Sequence, residues 1–164
     1  MGNVMAKKRK KPKKQPKKQP KKKRAQKPPP TCKALLLCDK TIIEAVTDKV
    51  SIIGVFDALR VPSVPGKTPP FTVFIQLTDG IGRYDVVIEI HDLAKDVVLG
   101  RGTGIGLNWP QKLLKLNVMI PCPPIPVARA GLYDLVVIAN GEEIDRQKFA
   151  VIDLSHGDGD EDEN

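Results

Sequence analysis

Two runs, GLYDLVVIAN and IDRQKFAVIDL, face each other across the dipeptide Asn140-Gly141. Both central residues of a tight two-residue hairpin turn need positive φ, and Asn-Gly meets that need at the lowest steric cost. A β-hairpin over residues 131–154 is therefore the strongest local constraint on what this chain can fold into.

The rest of the middle segment obeys the same grammar. KALLLC (33–38) reads as a first strand. The beginning of TIIEAVTDKVSIIGVFDALRV (41–61) also fits a helix, but VSIIGVFDALRV is rich in β-branched residues with a glycine inside, so a strand is expected from about Val50 to Arg60. SVPGKTPP is expected to be a loop, FTVFIQLT (71–78) a strand and DGIG a turn. RYDVVIEIHDL (83–93) alternates as a half-buried strand should. DVVLG and KLLKLNVMI follow as strands with a glycine-rich connection between them, and PCPPIP forbids helix or central strand. The expectation is an all-β, immunoglobulin-like sandwich of about seven or eight strands.

Charge divides the chain of 164 residues into three parts. Residues 1–30 hold 14 Lys and Arg and no acid; residues 31–152 hold 13 of each sign; residues 153–164 hold six acids and no base. The expected organisation is a disordered Lys/Pro-rich arm (1–30), one β-sandwich domain (31–152) and an acidic disordered tail (153–164). The arm has no large apolar residue between Lys7 and Pro30, and its prolines forbid continuous helix. Extended at ~3.1 Å per residue it would reach roughly 90 Å.

That arm carries the candidate nucleic-acid-binding residues: Lys7, Lys8, Arg9, Lys10, Lys11, Lys13, Lys14, Lys17, Lys18, Lys21, Lys22, Lys23, Arg24 and Lys27. Lysines gain free energy on a polyanion by releasing its condensed counterions, without reading sequence. With no aromatic residue in the arm, base stacking is unavailable, so DNA and RNA should be weakly distinguished. An opposite-charge contact between the tail DGDEDEN and the arm is a further expectation, as an intramolecular screen.

The motifs of catalysis find little footing. LGRGTGIGLNWP has the glycines of a phosphate-binding turn, but Trp109-Pro110 closes it and no amphipathic helix follows. It reads instead as an edge segment or bulged strand. His91 beside Asp92 is expected to be a surface or hydrogen-bonded residue, and Ser51 and Ser63 lack a nucleophile context. Cys32, Cys38 and Cys122 are expected to be reduced thiols, some of them buried in strands. No catalytic residue, metal site or cofactor is expected. The basic start is followed by lysine and proline rather than an apolar stretch, Ala6 stands where myristoylation wants Ser or Thr, and no run approaches a membrane span. A cytoplasmic location without stable membrane insertion is the expectation.

Three stretches, KVSIIGVFD (49–57), PPFTVFIQL with YDVVIEIHD, and AGLYDLVVIANGEEIDRQKFAV (130–151), resemble an uncharacterised bacterial family of small β-sandwich proteins, a domain of unknown function. The resemblance covers roughly residues 34–152 and implies an immunoglobulin-like sandwich, with no activity, cofactor or catalytic residue attached. The arm and the acidic end lie outside it. The functional expectation is a non-enzymatic binding protein whose arm associates with nucleic acid. The alternative is a sandwich that binds a protein partner, the arm being a solvated tail.

Overall fold

The computed structural model describes residues 27–102 and 104–155. They form twelve strands and no helix: β1 Thr31–Ile43, β2 Val50–Phe56, β3 Ala58–Val61, β4 Gly66–Lys67, β5 Phe71–Thr78, β6 Gly82–Asp92, β7 Val97–Arg101, β8 Ile105–Trp109, β9 Leu116–Cys122, β10 Pro126–Val127, β11 Gly131–Ala139 and β12 Glu142–Asp153. One sheet has the order β2-β1-β5-β9 and a second the order β3-β12-β11-β6-β7, with β8 also on β6; β4 and β10 make a separate two-residue pair.

The hairpin at Asn140-Gly141 forms as its residues require. Ala139 pairs with Glu142, and the two turn residues take φ of 51° and 86°. Asn140 then secures the neighbouring strand: its side-chain Oδ1 accepts from the Asp85 N–H, and its backbone N–H donates to the Asp85 carbonyl, both at 2.9 Å. Among the described residues the other non-glycine positions at positive φ are Asp48, Asp79 and Asp96, all at turns. A short acidic or amide side chain tolerates the left-handed region by bonding locally, which larger residues cannot do.

Alternation builds the core. Tyr84, Val86, Ile88 and Ile90 of β6 point inward with Tyr133, Leu135 and Val137 of β11, and meet Phe71, Val73, Ile75 and Leu77 of β5. The inward faces of both larger sheets thus belong to one apolar cluster. One end of it is closed by Trp109, whose indole lies edge-on to Tyr84 at 5.5 Å and donates to the Leu114 carbonyl at 2.9 Å. The indole also explains Gly80, where a Cβ would sit 2.5 Å from the ring.

Several strand expectations need correction. The segment from Val50 to Arg60 is not one strand: it breaks at Asp57, so that β2 pairs with β1 in one sheet and β3 runs parallel to β12 in the other. A strand that changes sheets must bend at the corner, and Asp57 holds the bend by accepting the Ala150 N–H at 2.8 Å. The loop SVPGKTPP contains β4, and the glycine-rich segment contains β8, which lies with β7 along β6. Lys112 to Lys115 precede the strand instead of opening it. β1 continues to Ile43, so the helix-compatible start of TIIEAV is strand and turn. Pro121 falls in β9, where an edge position spares the missing N–H.

Trp109→Ala should lower stability by about 3–5 kcal/mol, the range for removing a large core aromatic. Gly141→Ala should cost only about 1–2 kcal/mol, because nothing lies within 4 Å of its Cβ and only the φ of 86° is penalised. Urea unfolding of both variants checks the order of the two effects.

Candidate functional site

Two places concentrate polar chemistry. The first is the root of the arm. The Tyr84 hydroxyl donates to the Pro28 carbonyl at 2.9 Å and accepts the Ile81 N–H at 3.3 Å. Lys27, exposed, lies against Gly82. Of the expected nucleic-acid-binding residues Lys27 alone falls among those described; Lys7 through Arg24 lie outside them, as does the acidic run after Ser155. Lys33 and Lys112 stand close enough to Asp79 to favour its charged form, and its carboxyl is held below the usual range first by the Thr78 hydroxyl, then by the Thr31 hydroxyl and these lysines.

The second place is the outward face of β6, β11 and β12. Strand register lays its residues out in rows: His91 beside Asp134 beside Lys148, then Arg101 beside Glu89 beside Val136 beside Arg146. Glu89 uses both oxygens, accepting His91 Nε2 at 2.9 Å and pairing with Arg101 at 3.3 Å. Arg146 reaches Glu143 through two nitrogens, at 2.9 and 2.8 Å, and Asp134 Oδ2 at 2.5 Å. Asp134 is 2% exposed, and its Oδ1 has no hydrogen-bond partner among the described residues. Glu89, Asp134 and Glu143 are thus paired with cations on this face, Lys148 is exposed, and among the described residues Asp134 Oδ1 is a buried acceptor without a partner. Among the described residues no three His, Cys, Asp or Glu side chains are grouped to hold a metal ion.

Neighbouring His91 in sequence, Asp92 serves a different purpose. It faces the interior, bonded by Arg129 through Nε at 3.1 Å and a second nitrogen, and it accepts the N–H groups of Ala94 and Lys95 at the turn. Arg129 holds its carboxyl well below the ordinary carboxylate range. The sequence suggested His91 as hydrogen-bonded, and it is, to Glu89. Asp134, Glu143 and Arg146 escaped sequence reasoning. The signal available was a charged residue at position 134 inside the otherwise apolar run of β11.

The thiols are free, with Cys38 and Cys122 buried. Burial pushes Cys122 up to about 11, and burial with the nearby Asp145 carboxylate pushes Cys32 up to about 12. All three stay protonated near neutrality, which removes their nucleophilic form.

A family model, "Family of unknown function (DUF6941)", matches residues 33–152. The chain belongs to this family. The match takes in the whole of β2 through β11 and leaves the arm and the acidic end outside. No curated protein matches. Among solved structures, the alkylpurine DNA glycosylase AlkC of Pseudomonas fluorescens, bound to DNA containing an abasic site analog, aligns with a TM-score of 0.40 at 9% identity. The alignment covers 58% of this chain and 27% of that one.

Arg146→Ala leaves Asp134 with two unpartnered oxygens and should cost on the order of 1–3 kcal/mol in urea unfolding. Replacing both Asp134 and Arg146 by apolar residues should recover part of that loss, since no unpaired buried charge then remains at this position. Asp92 and Glu143 have depressed native values, so their stabilisation is present at neutral pH. It should be lost as pH falls below about 4, where the unfolded carboxylates take up protons first, and onward through the native values. Thiol labelling of the native chain at pH 8 should spare Cys38 and Cys122, and both should react once the chain is unfolded.

Proposed function

We propose that the chain is a non-enzymatic, cytoplasmic binding protein: an immunoglobulin-like sandwich that carries a lysine arm for sequence-independent association with nucleic acid. The observation that carries this reading is the segregation of charge. The arm's 14 cations adjoin a segment, 31–152, in which 13 bases and 13 acids cancel. The arm's departure point is fixed, because Pro28 is bonded to the buried Tyr84. A cationic chain that starts from a rigid neutral body can follow a phosphate backbone while the body stays free for other contacts.

Strand order supports the immunoglobulin-like reading. The set β12-β11-β6 has the neighbour relations of a G-F-C sheet, and β1-β5-β9 those of an A-B-E sheet. Tyr133, near the start of β11, donates its hydroxyl to the carbonyl of Arg129 four residues upstream at 2.8 Å, the arrangement of a tyrosine corner. Among the described residues no helix is long and apolar enough to cross a membrane. A second reading, a partner-binding module with a solvated arm, draws on the uncovered β1–β2 ribbon described below.

The intramolecular screen has a geometric cost. β1 begins where β5 and β8 end, whereas β12 ends beside the beginning of β11 and the end of β6. The arm and the C-terminal segment therefore leave from opposite ends of the sheets.

The test is binding to generic duplex DNA and RNA across a salt series, for the full chain and for a chain beginning at Lys27, which keeps the Pro28 anchor. With about 6–10 phosphates contacted, affinity should fall by roughly 10³–10⁵ between about 50 and 200 mM salt, and the slope should vanish with the arm. A slope that survives arm removal would assign binding to the body, and absence of binding by both chains at low salt would end the nucleic-acid reading.

A further inference from the structure

The far half of the β1–β2 hairpin leaves the body. β1 pairs with β5 as far as Cys38 opposite Thr72, but from Lys40 to Ile43 its ladder partner among the described residues is β2 alone. No side chain from Asp39 to Val55 is buried. The ribbon is nonetheless apolar on both faces. Register puts Ile42, Ile53 and Val55 on the outward face, Ile43, Val50 and Ile52 on the face continuous with the core, and Val46 at the tip. Ile43 is 54%, Val55 56% and Val46 96% exposed. A bare two-stranded ribbon is marginal in water, and this one shows water the side chains that strands normally bury.

Its outer edge is equally unguarded. β2, VSIIGVF, is seven residues without a charge or a proline. The other edges of the two larger sheets are shorter or blunted: β9 contains Pro121, β3 has four residues, and β7 and β8 have five each.

We propose that this edge is an interface covered by the same edge of a second copy of the chain, β2 pairing antiparallel with β2 about a two-fold axis at Ile53. An axis at the middle residue pairs the whole strand: Val50 with Phe56, Ser51 with Val55, Ile52 with Gly54, and Ile53 with itself. Such pairs keep the two faces of each ribbon in line, as an axis normal to the sheet requires. The same register, extended by one residue, sets Lys49 opposite Asp57 of the second copy, and the symmetry makes this pair twice. Both residues are exposed and neither takes part in an ion pair within its own chain, among the described residues. Shifting the axis to either neighbouring residue shortens the ladder and removes the charge match.

The strand's far end offers a seat for the incoming turn. Leu35, Leu36, Val55, Phe56, Asp57 and Gln147 line a shallow, open groove of about 370 Å³ where β2 leaves β1. Antiparallel pairing carries the turn of the second copy, with its exposed Val46, to that end. The product is a continuous sheet in the order β9-β5-β1-β2-β2-β1-β5-β9, with the two lysine arms departing at opposite ends. The inference is independent of whether those arms bind nucleic acid.

Sedimentation equilibrium of the nuclease-treated full chain tests it, with the variants Ile53→Lys, Lys49→Asp, Asp57→Lys and the double swap K49D/D57K. The expected result is a two-chain mass at micromolar concentration. Ile53→Lys should return it to one chain, because two ammonium groups then meet at the axis. Each single charge swap should weaken association about tenfold by setting like charges opposite each other, and the double swap should restore it. All the substituted side chains are exposed, and far-UV circular dichroism verifies that the variants stay folded. A one-chain mass up to on the order of 100 µM would overturn the proposal, leaving the edge to a strand of another protein. So would a two-chain mass that Ile53→Lys or the charge swaps leave unchanged.

Discussion

The pairing of β6 with β11 is the interaction on which the other features depend. Ile90 opposite Leu135 and Ile88 opposite Val137 point inward together, and between them His91 meets Asp134 and Glu89 meets Val136 on the outside. Because the strand period is two, a one-residue slip would turn the apolar set to water and the charged set into the core. The register is held at one end by the Asn140 clamp on Asp85 and at the other by Tyr133 and Arg129 around Asp92. Core, charged face and arm root all inherit their positions from it.

The charged face and the ribbon pose opposite problems in physical chemistry. On the face, Glu89, Asp134 and Glu143 lie against cations that compensate their loss of water, and among the described residues Asp134 Oδ1 is left without a partner. On the ribbon, apolar groups are exposed, and none of the described residues covers them. The first is nearly closed upon itself. The second is complete only with a further surface, which is why the edge of β2, and not the polar cluster, carries the inference about a partner.

Much of the architecture was legible because local chemistry and tertiary context agree. Asn140-Gly141 announces its turn, and the alternation of RYDVVIEIHD matches the burial of Tyr84, Val86, Ile88 and Ile90 residue by residue. The glycine-rich segment reads as an edge segment or bulged strand, and β8 is such a strand, lying on β6 alone among the described residues, although its bounds are not legible. Alternating glycines give no hydrophobic period, and β8 exists because β6 offers it a ladder. The break at Asp57 was hidden for a related reason: a run rich in β-branched residues does not reveal that its two halves bond to different sheets. Of the site residues, the lysines of the arm could be named from composition alone, whereas Asp134 and Arg146 are twelve residues apart and meet only because a hairpin folds them side by side.

The sequence by itself determined the class of structure, the turn that closes the last hairpin, the inward faces of the long strands, and the separation of charge into arm, body and tail. Each is a property of neighbouring residues: backbone preference, side-chain period or local charge. Tertiary structure alone decided which sheet each half of Val50–Arg60 joins, that Arg129 would neutralise buried Asp92, that Lys27 and Ser155 lie at opposite ends of the sheets, and that no described strand would lie on the outer side of β2. Those outcomes depend on which distant strands compete for the same ladder positions, and hydrogen-bonding capacity at an edge is carried by every backbone alike, so no residue type records it.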